Sequence, residues 1–205
     1  MSSRRMVATQ RELGRNNSMA KYHLHWFTDE ISMHVTCALA SIEQVQTLLA
    51  VSETRQRRDV WFHLTSFLTH TAMVSKIICP SDKANQRGEA MLKHLEVPDD
   101  SPLLARSARN NAEHIDERID RWVNRGNAKV LEMVLDDRES FNYIANEDTA
   151  IRRVLIQNEM IYISEDNEGA RVETRLLPMI EALRNLEERC AYKLVSESPY
   201  SYVLS

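Results

Sequence analysis

Along this chain apolar residues return every third or fourth position, the period of an amphipathic helix. Ile31, Val35, Leu39, Ile42, Val45 and Leu49 form one such stripe. Thr28 stands before it in the place of an N-cap, with Asp29 and Glu30 in the first turn, where the helix dipole favours negative charge. The spacing predicts a helix over about 29–52. After the polar link SETRQRR, Val60, Leu64, Phe67, Thr71, Val74 and Ile78 repeat the period in a second long helix, which Pro80 stops. A shorter third helix is predicted over about 83–95, opened by Ser81 and closed before Pro98. The loop VPDDSP leads to Ser101, a good N-cap, and Pro102, which suits the first helical position. From there a fourth helix is predicted over about 102–125, ended by Gly126.

The texture then changes. KVLEMVL fits a strand or a helix equally. AIRRVLIQNEMIYIS holds two β-rich runs, 150–157 and 160–165, around a turn at Asn158-Glu159, and reads as a hairpin although that turn has no glycine. EDNEGA is a loop. A last helix is predicted over about 174–195, with Leu176, Ile180, Leu183, Leu186, Cys190 and Leu194 inward and Pro178 tolerated in its first turn. The predicted fold class is mainly α: a four- to five-helix bundle with a small β-hairpin insertion between the fourth and last helices. The predicted division is a partly disordered N-terminal arm (1–27), one domain (28–195) and a C-terminal tail (196–205). Within the domain lie a helical core (28–126), the β insertion (127–172) and the last helix (173–195).

Composition narrows the function classes. A chain of 205 residues with 43% apolar content can build a substantial core. A net charge of −4 gives no global electrostatic footprint for nucleic acid, though a local basic patch remains compatible. Four glycines do not supply a phosphate-cradling loop. Cys37, Cys79 and Cys190 are too widely spaced for a zinc pattern and read as reduced thiols. No apolar run is long enough for a transmembrane helix, and the N-terminal residues lack the apolar stretch of a secretory signal. The expected compartment is the cytoplasm, with no membrane partner.

Metal chemistry fits poorly. A carboxylate-bridged di-iron bundle needs two Glu-x-x-His pairs, and here Glu30 and His34 are four apart and occur once. His23 and His25 belong to the N-terminal arm, and His63 sits among Val60, Trp61, Phe62 and Leu64, the context of a core histidine. No Gly-x-Ser-x-Gly elbow is present, and no cysteine has an evident histidine partner. No metal and no cofactor are predicted.

The stretch LLARSARNNAEHIDERIDRW, residues 103–122, carries the remaining chemistry. On a helical wheel Leu104, Ala108, Ala112, Ile115, Ile119 and Trp122 make a core face. Asn110, His114, Arg118, Arg121 and Arg125 make a polar stripe beside or opposite it. Neighbouring arginines disfavour a charged His114 and leave an imidazole able to accept a proton. RNA carries its own nucleophile, the 2′-hydroxyl. Its cleavage needs a base, an acid and positive charge on the phosphorane, roles that suit a histidine and an arginine.

The segment Arg109-Asn110-Asn111-Ala112-Glu113-His114 resembles the Arg-x4-6-His signature of HEPN domains, in which a polar residue, often Asn, follows the Arg. The resemblance covers about residues 28–126. It implies a helical bundle, a homodimer with the two signatures facing across a groove and, for many members, a metal-independent endoribonuclease. Other members are non-catalytic nucleotide- or RNA-binding domains, and some are toxins neutralised by a nucleotidyltransferase-type antitoxin. Carried onto this chain, Arg109 stabilises phosphate charge, His114 acts as general base or acid, and Asn110 positions. Arg118 and Arg121 are candidate RNA contacts.

The motif is short, and Arg57 or Arg58 before His63 and Arg87 before His94 also match it. A five-residue offset sets Arg109 and His114 about 140° apart on a straight helix. A solvated face laced with Arg109–Glu113 and Glu117–Arg121 ion pairs accounts for the same residues without chemistry. The competing function is therefore a non-catalytic helical-bundle module that binds protein or RNA.

Overall fold

A computed structural model of the chain describes residues 3–51, 57–80, 85–105, 115–124, 129–146, 148–166 and 168–197, with the side chains of 3–22, 57, 85 and 115 outside the description. The first apolar stripe lies on α1, Ser3–Ala50, and the second on α2, Arg57–Ile78. Ser41 meets Ser66 at 2.9 Å and His34 meets His70 at 2.8 Å, so the two helices run antiparallel. α3, Asn85–His94, packs on both, at the C-terminal end of α2 and beside Phe27 in the middle of α1. A Cβ on Gly88 would lie 2.6 Å from Pro80 Cδ, so the close approach of α3 to the end of α2 requires glycine there. Thr28 is not a cap. α1 runs through it, and its buried hydroxyl donates to Leu24 O at 2.8 Å.

The predicted helix over 102–125 is interrupted. Ser101 caps a short 3-10 helix, Pro102–Leu104, and accepts the Leu103 N–H at 3.4 Å. Ala105 is then extended, and Leu103 is buried in the helical core. α4, Ile115–Asn124, follows the segment 106–114, which lies outside the described residues, as does Gly126.

The β runs form a four-stranded sheet in the order β1-β2-β3-β4. β1 (Val130–Leu135) pairs parallel with β2 (Ala150–Ile156), and the short α5 (Arg138–Ile144) connects them. β3 (Ile161–Glu165) and β4 (Arg171–Arg175) follow antiparallel. The two runs expected at 150–157 and 160–165 are thus the middle strands of a mixed sheet, in place of a lone hairpin insertion. Met160 closes the β2–β3 turn at φ 50°, a left-handed conformation usually taken by glycine. Its side chain is buried in the helical core and its carbonyl accepts from Leu176 N at 2.9 Å, which holds the turn without glycine.

β4 leads straight into α6, Leu176–Ser196. Leu176, Ile180, Leu183, Leu186 and Cys190 point inward as the period predicts, and α6 packs on α1. Burial pushes the Cys190 thiol up to about 12, which keeps it a protonated packing group. The sheet has two apolar faces. Val134, Leu155, Met160 and Tyr162 join the core of α1, α2 and α6. Leu131, Leu135, Ile151, Val154, Ile156, Ile161 and Ile163 form a second cluster under Phe141 of α5. A register shift opposite Leu131 and Glu132 leaves Arg152 as an extra residue on β2, which lets Ile151 and Val154 share one face. It also brings both Arg152 and Arg153 to Glu132, at 2.9 and 3.0 Å. The protein is therefore mainly helical, with a sheet that completes the helical core. No helix among the described residues is long and apolar enough to cross a membrane.

Candidate functional site

Arg109, Asn110 and His114 lie outside the described residues. The two flanking arginines on α4 are described, and their guanidinium groups point at the sheet. Arg118 is 2% exposed and donates from Nη1 to Glu165 O at 2.7 Å. Arg121 donates from Nη1 and Nη2 to Asp166 O, each at 3.0 Å. Trp122 donates from Nε1 to Glu165 Oε2 at 2.9 Å, and Glu165 Oε1 accepts the Ile151 N–H at 2.5 Å. The buried Glu165 therefore joins α4, β2 and β3 in one polar node. Burial lowers the Arg118 pKa, opposed by Tyr162 and Glu165. Burial likewise raises the Tyr162 phenol, opposed by Arg118 and Arg153.

Sequence reasoning places neither guanidinium against the sheet, and for Arg118 it expects an exposed side chain where the structure has a buried one. Arg118 is buried and Arg121 half-buried, and the partners of both include backbone carbonyls across the fold. The core stripe is displaced too, because Ile119 is 43% exposed while Trp122 is buried. Exposed positions on α4 include Asp116, Glu117 and Asp120 beside Ile119 and Val123.

Two histidines from facing helices, one on α1 and one on α2, come together. His34 Nδ1 and His70 Nδ1 are 2.8 Å apart, and His34 Nε2 is 3.3 Å from Glu30 Oε1. The close pair requires one ring to donate and the other to accept, so both cannot be protonated comfortably. No group of three His, Cys, Asp or Glu among the described residues is placed to hold a metal. Burial lowers the His70 pKa first, and His34 lowers it further. Burial also lowers that of His94, with Glu197 opposing. A histidine depressed in the folded state binds fewer protons there than in the unfolded chain, where it titrates near 6.5. Stability is thus held above about pH 6.5 and falls as pH drops below it. Urea midpoints measured from pH 7.5 to 5.5, above the carboxylate range, are expected to decline, and His70→Gln to flatten the slope. A rise in midpoint over that interval would contradict the geometry.

The sheet has two edges of opposite character. β4 exposes Arg171, Glu173 and Arg175, charges that discourage further pairing. Arg138 Nη1 and Nη2 hold Glu173 at 2.6 and 2.9 Å, and this hydrogen bonding keeps the Glu173 pKa below the usual carboxylate range. β1, by contrast, reads VLEMVL, with no Pro or Lys, and its single charge, Glu132, is tied to Arg152 and Arg153. Among the described residues β2 is its one paired neighbour. Lys129 O and Leu135 O accept from β2-side amides at 3.1 and 2.9 Å. Backbone groups alternate sides along a strand, so Val130, Glu132 and Val134 present theirs to the open edge.

An open groove of about 450 Å³ runs beside that edge, lined by Met133, Leu135, Glu139, Ser140, Tyr143 and Ile144. Its far wall is α5. Asp137 caps this helix by accepting the Ser140 N–H at 2.8 Å, a bond that lowers the Asp137 pKa. Tyr143 is 91% exposed at the rim. By its sequence KVLEMVL fits strand or helix equally, and α5 lies outside the predicted elements. The available signals were an apolar run without gatekeepers, and Asp137 three residues before Ser140. Comparison with known proteins finds no match: no family model, no curated protein and no solved structure is similar to this chain.

Proposed function

We propose that the protein is a non-catalytic interaction module that binds an extended polypeptide segment along β1. The observation that carries this reading is the unguarded β1 edge lying beside the Met133–Tyr143 groove. Strand addition takes its affinity from main-chain hydrogen bonds and its specificity from pockets for alternate side chains. Val130, Glu132 and Val134 offer the first, and the groove offers the second to the outward-facing side chains of the guest. The preferred guest is a strand with apolar residues at alternate positions on the α5 face. A HEPN-type ribonuclease stands behind this reading, because Arg118 and Arg121 are engaged with the sheet and α4 exposes acidic side chains.

Two measurements test the assignment. Selection of displayed random peptides is expected to return alternating apolar sequences. Their binding should fall at least about tenfold on Tyr143→Glu or Met133→Lys, a loss of roughly 1.4 kcal/mol. Selection of no such peptides, or of peptides indifferent to both substitutions, would remove the module reading. In parallel, wild type and His114→Ala are expected to give the same RNA turnover without metal. Cleavage that depends on His114 and Arg109 would instead establish the nuclease.

A further inference from the structure

We infer that the strand received by this edge is β1 of a second copy of the chain, paired antiparallel about a two-fold axis through Met133. The inference rests on the edge reading above and names its occupant. Directly opposed residues in a sheet share a face. A two-fold axis normal to the sheet keeps the α5 face on one side, so residues pair with an even sum of positions. Centring on Met133 then sets Met133 against itself and Leu131 against Leu135 on the α5 face, all apolar. On the other face Glu132 lies opposite Val134 of the copy, and its carboxylate keeps Arg152 and Arg153.

The backbone phase agrees. Glu132 and Val134 are the residues whose N–H and C=O groups face outward, so each Glu132–Val134 pair exchanges two hydrogen bonds. Beyond the strand ends the same register sets Lys129 alongside Asp137 of the copy, opposite charges on both sides. Other centres are worse. One on Glu132 sets two glutamates face to face, one on Val134 sets Glu132 against Asp136, and one on Leu135 sets Met133 against Asp137. One on Leu131 leaves Val134 and Leu135 without partners. The charged β4 edge offers no comparable self-match. The product is a closed dimer with one continuous sheet across both copies, flanked on one face by both α5 helices.

Sedimentation of the full chain is expected to show a monomer–dimer equilibrium with a midpoint on the order of 10 μM, the regime of small interfaces. Met133→Lys and Tyr143→Glu should both yield monomer, the second at a position too exposed to disturb folding. Met133→Cys should form a disulfide-linked dimer under mild oxidation. Non-hydrogen-bonded antiparallel partners have Cα atoms about 4.5 Å apart, within disulfide reach. Val130→Cys should not, since its partner in this register is Asp136 of the copy; wild type controls for Cys37, Cys79 and Cys190. A wild type that stays monomeric and a Met133→Cys that does not link would overturn the self-pairing. So would a dimer that survives both edge substitutions. In either case the peptide selection decides separately whether the edge receives another strand.

Discussion

Glu165→Ala is expected to lower the unfolding free energy by about 3 kcal/mol, since hydrogen bonds to a charged acceptor contribute roughly 1.5–3 kcal/mol each. The carboxylate is 4% exposed and both its oxygens are used, by Ile151 N–H and by Trp122 Nε1–H. Removal leaves two buried donors without their acceptors. The loss also loosens α4, because Arg118 and Arg121 donate to the carbonyls of Glu165 and Asp166 on the same stretch of chain. Glu165→Gln keeps the volume but offers one oxygen and one NH2. One of the two donors then faces another donor, so roughly half the loss is expected. Urea unfolding followed by circular dichroism measures both variants, with an unchanged slope showing that the denatured state is the same. Hydrogen exchange at the Ile151 amide gives the local readout and should accelerate in Glu165→Ala. A loss below about 1 kcal/mol would mean that the node is solvated and that α4 is held by packing alone.

The same node shows why part of this fold was legible and part was not. The stripes on α1, α2 and α6 are local patterns, and nearly all of their predicted inward positions are buried. Period alone suffices there, because each helix buries one face against like partners. Arg118 inverts the rule. It turns inward toward Glu165 O, an acceptor 47 residues away, and no helical wheel contains that carbonyl. Thr28 misled in a different way, since a threonine before an apolar stripe can cap a helix or bond back to the previous turn, and here Leu24 O is in reach. β4 escaped notice because RVETR alternates charge with little apolar content, the signature of a guarded edge that differs little from a loop. The candidate site was half visible. KVLEMVL was recognised as β-capable, but its being an edge depends on strand order, which the sequence pattern does not contain.

Leu155→Ala is expected to lower stability by about 3 kcal/mol, within the roughly 2–5 kcal/mol found for buried Leu→Ala changes. The destabilisation should appear in the helices as much as in the sheet. Leu155 is fully buried on the sheet face that joins α1, α2 and α6, in one cluster with Tyr162, Leu176 and Leu183. If the β segment were an insertion folding on its own, a cavity at Leu155 would melt the sheet and leave the helical transition at 222 nm in place. A shared core instead requires one cooperative transition, with the far-ultraviolet helix signal and tryptophan fluorescence moving together. Ile163→Ala supplies the contrast. Its side chain lies on the opposite face, in the cluster beneath α5. A similar loss there shows that the second layer is coupled to the first through the sheet, and a smaller loss with a sloping early phase marks α5 and β1 as the part that opens first. The second outcome would fit a binding edge, because a strand that must accept a new neighbour belongs to the least stable end of its sheet. Separated transitions in Leu155→Ala would return the β segment to the status of an insertion.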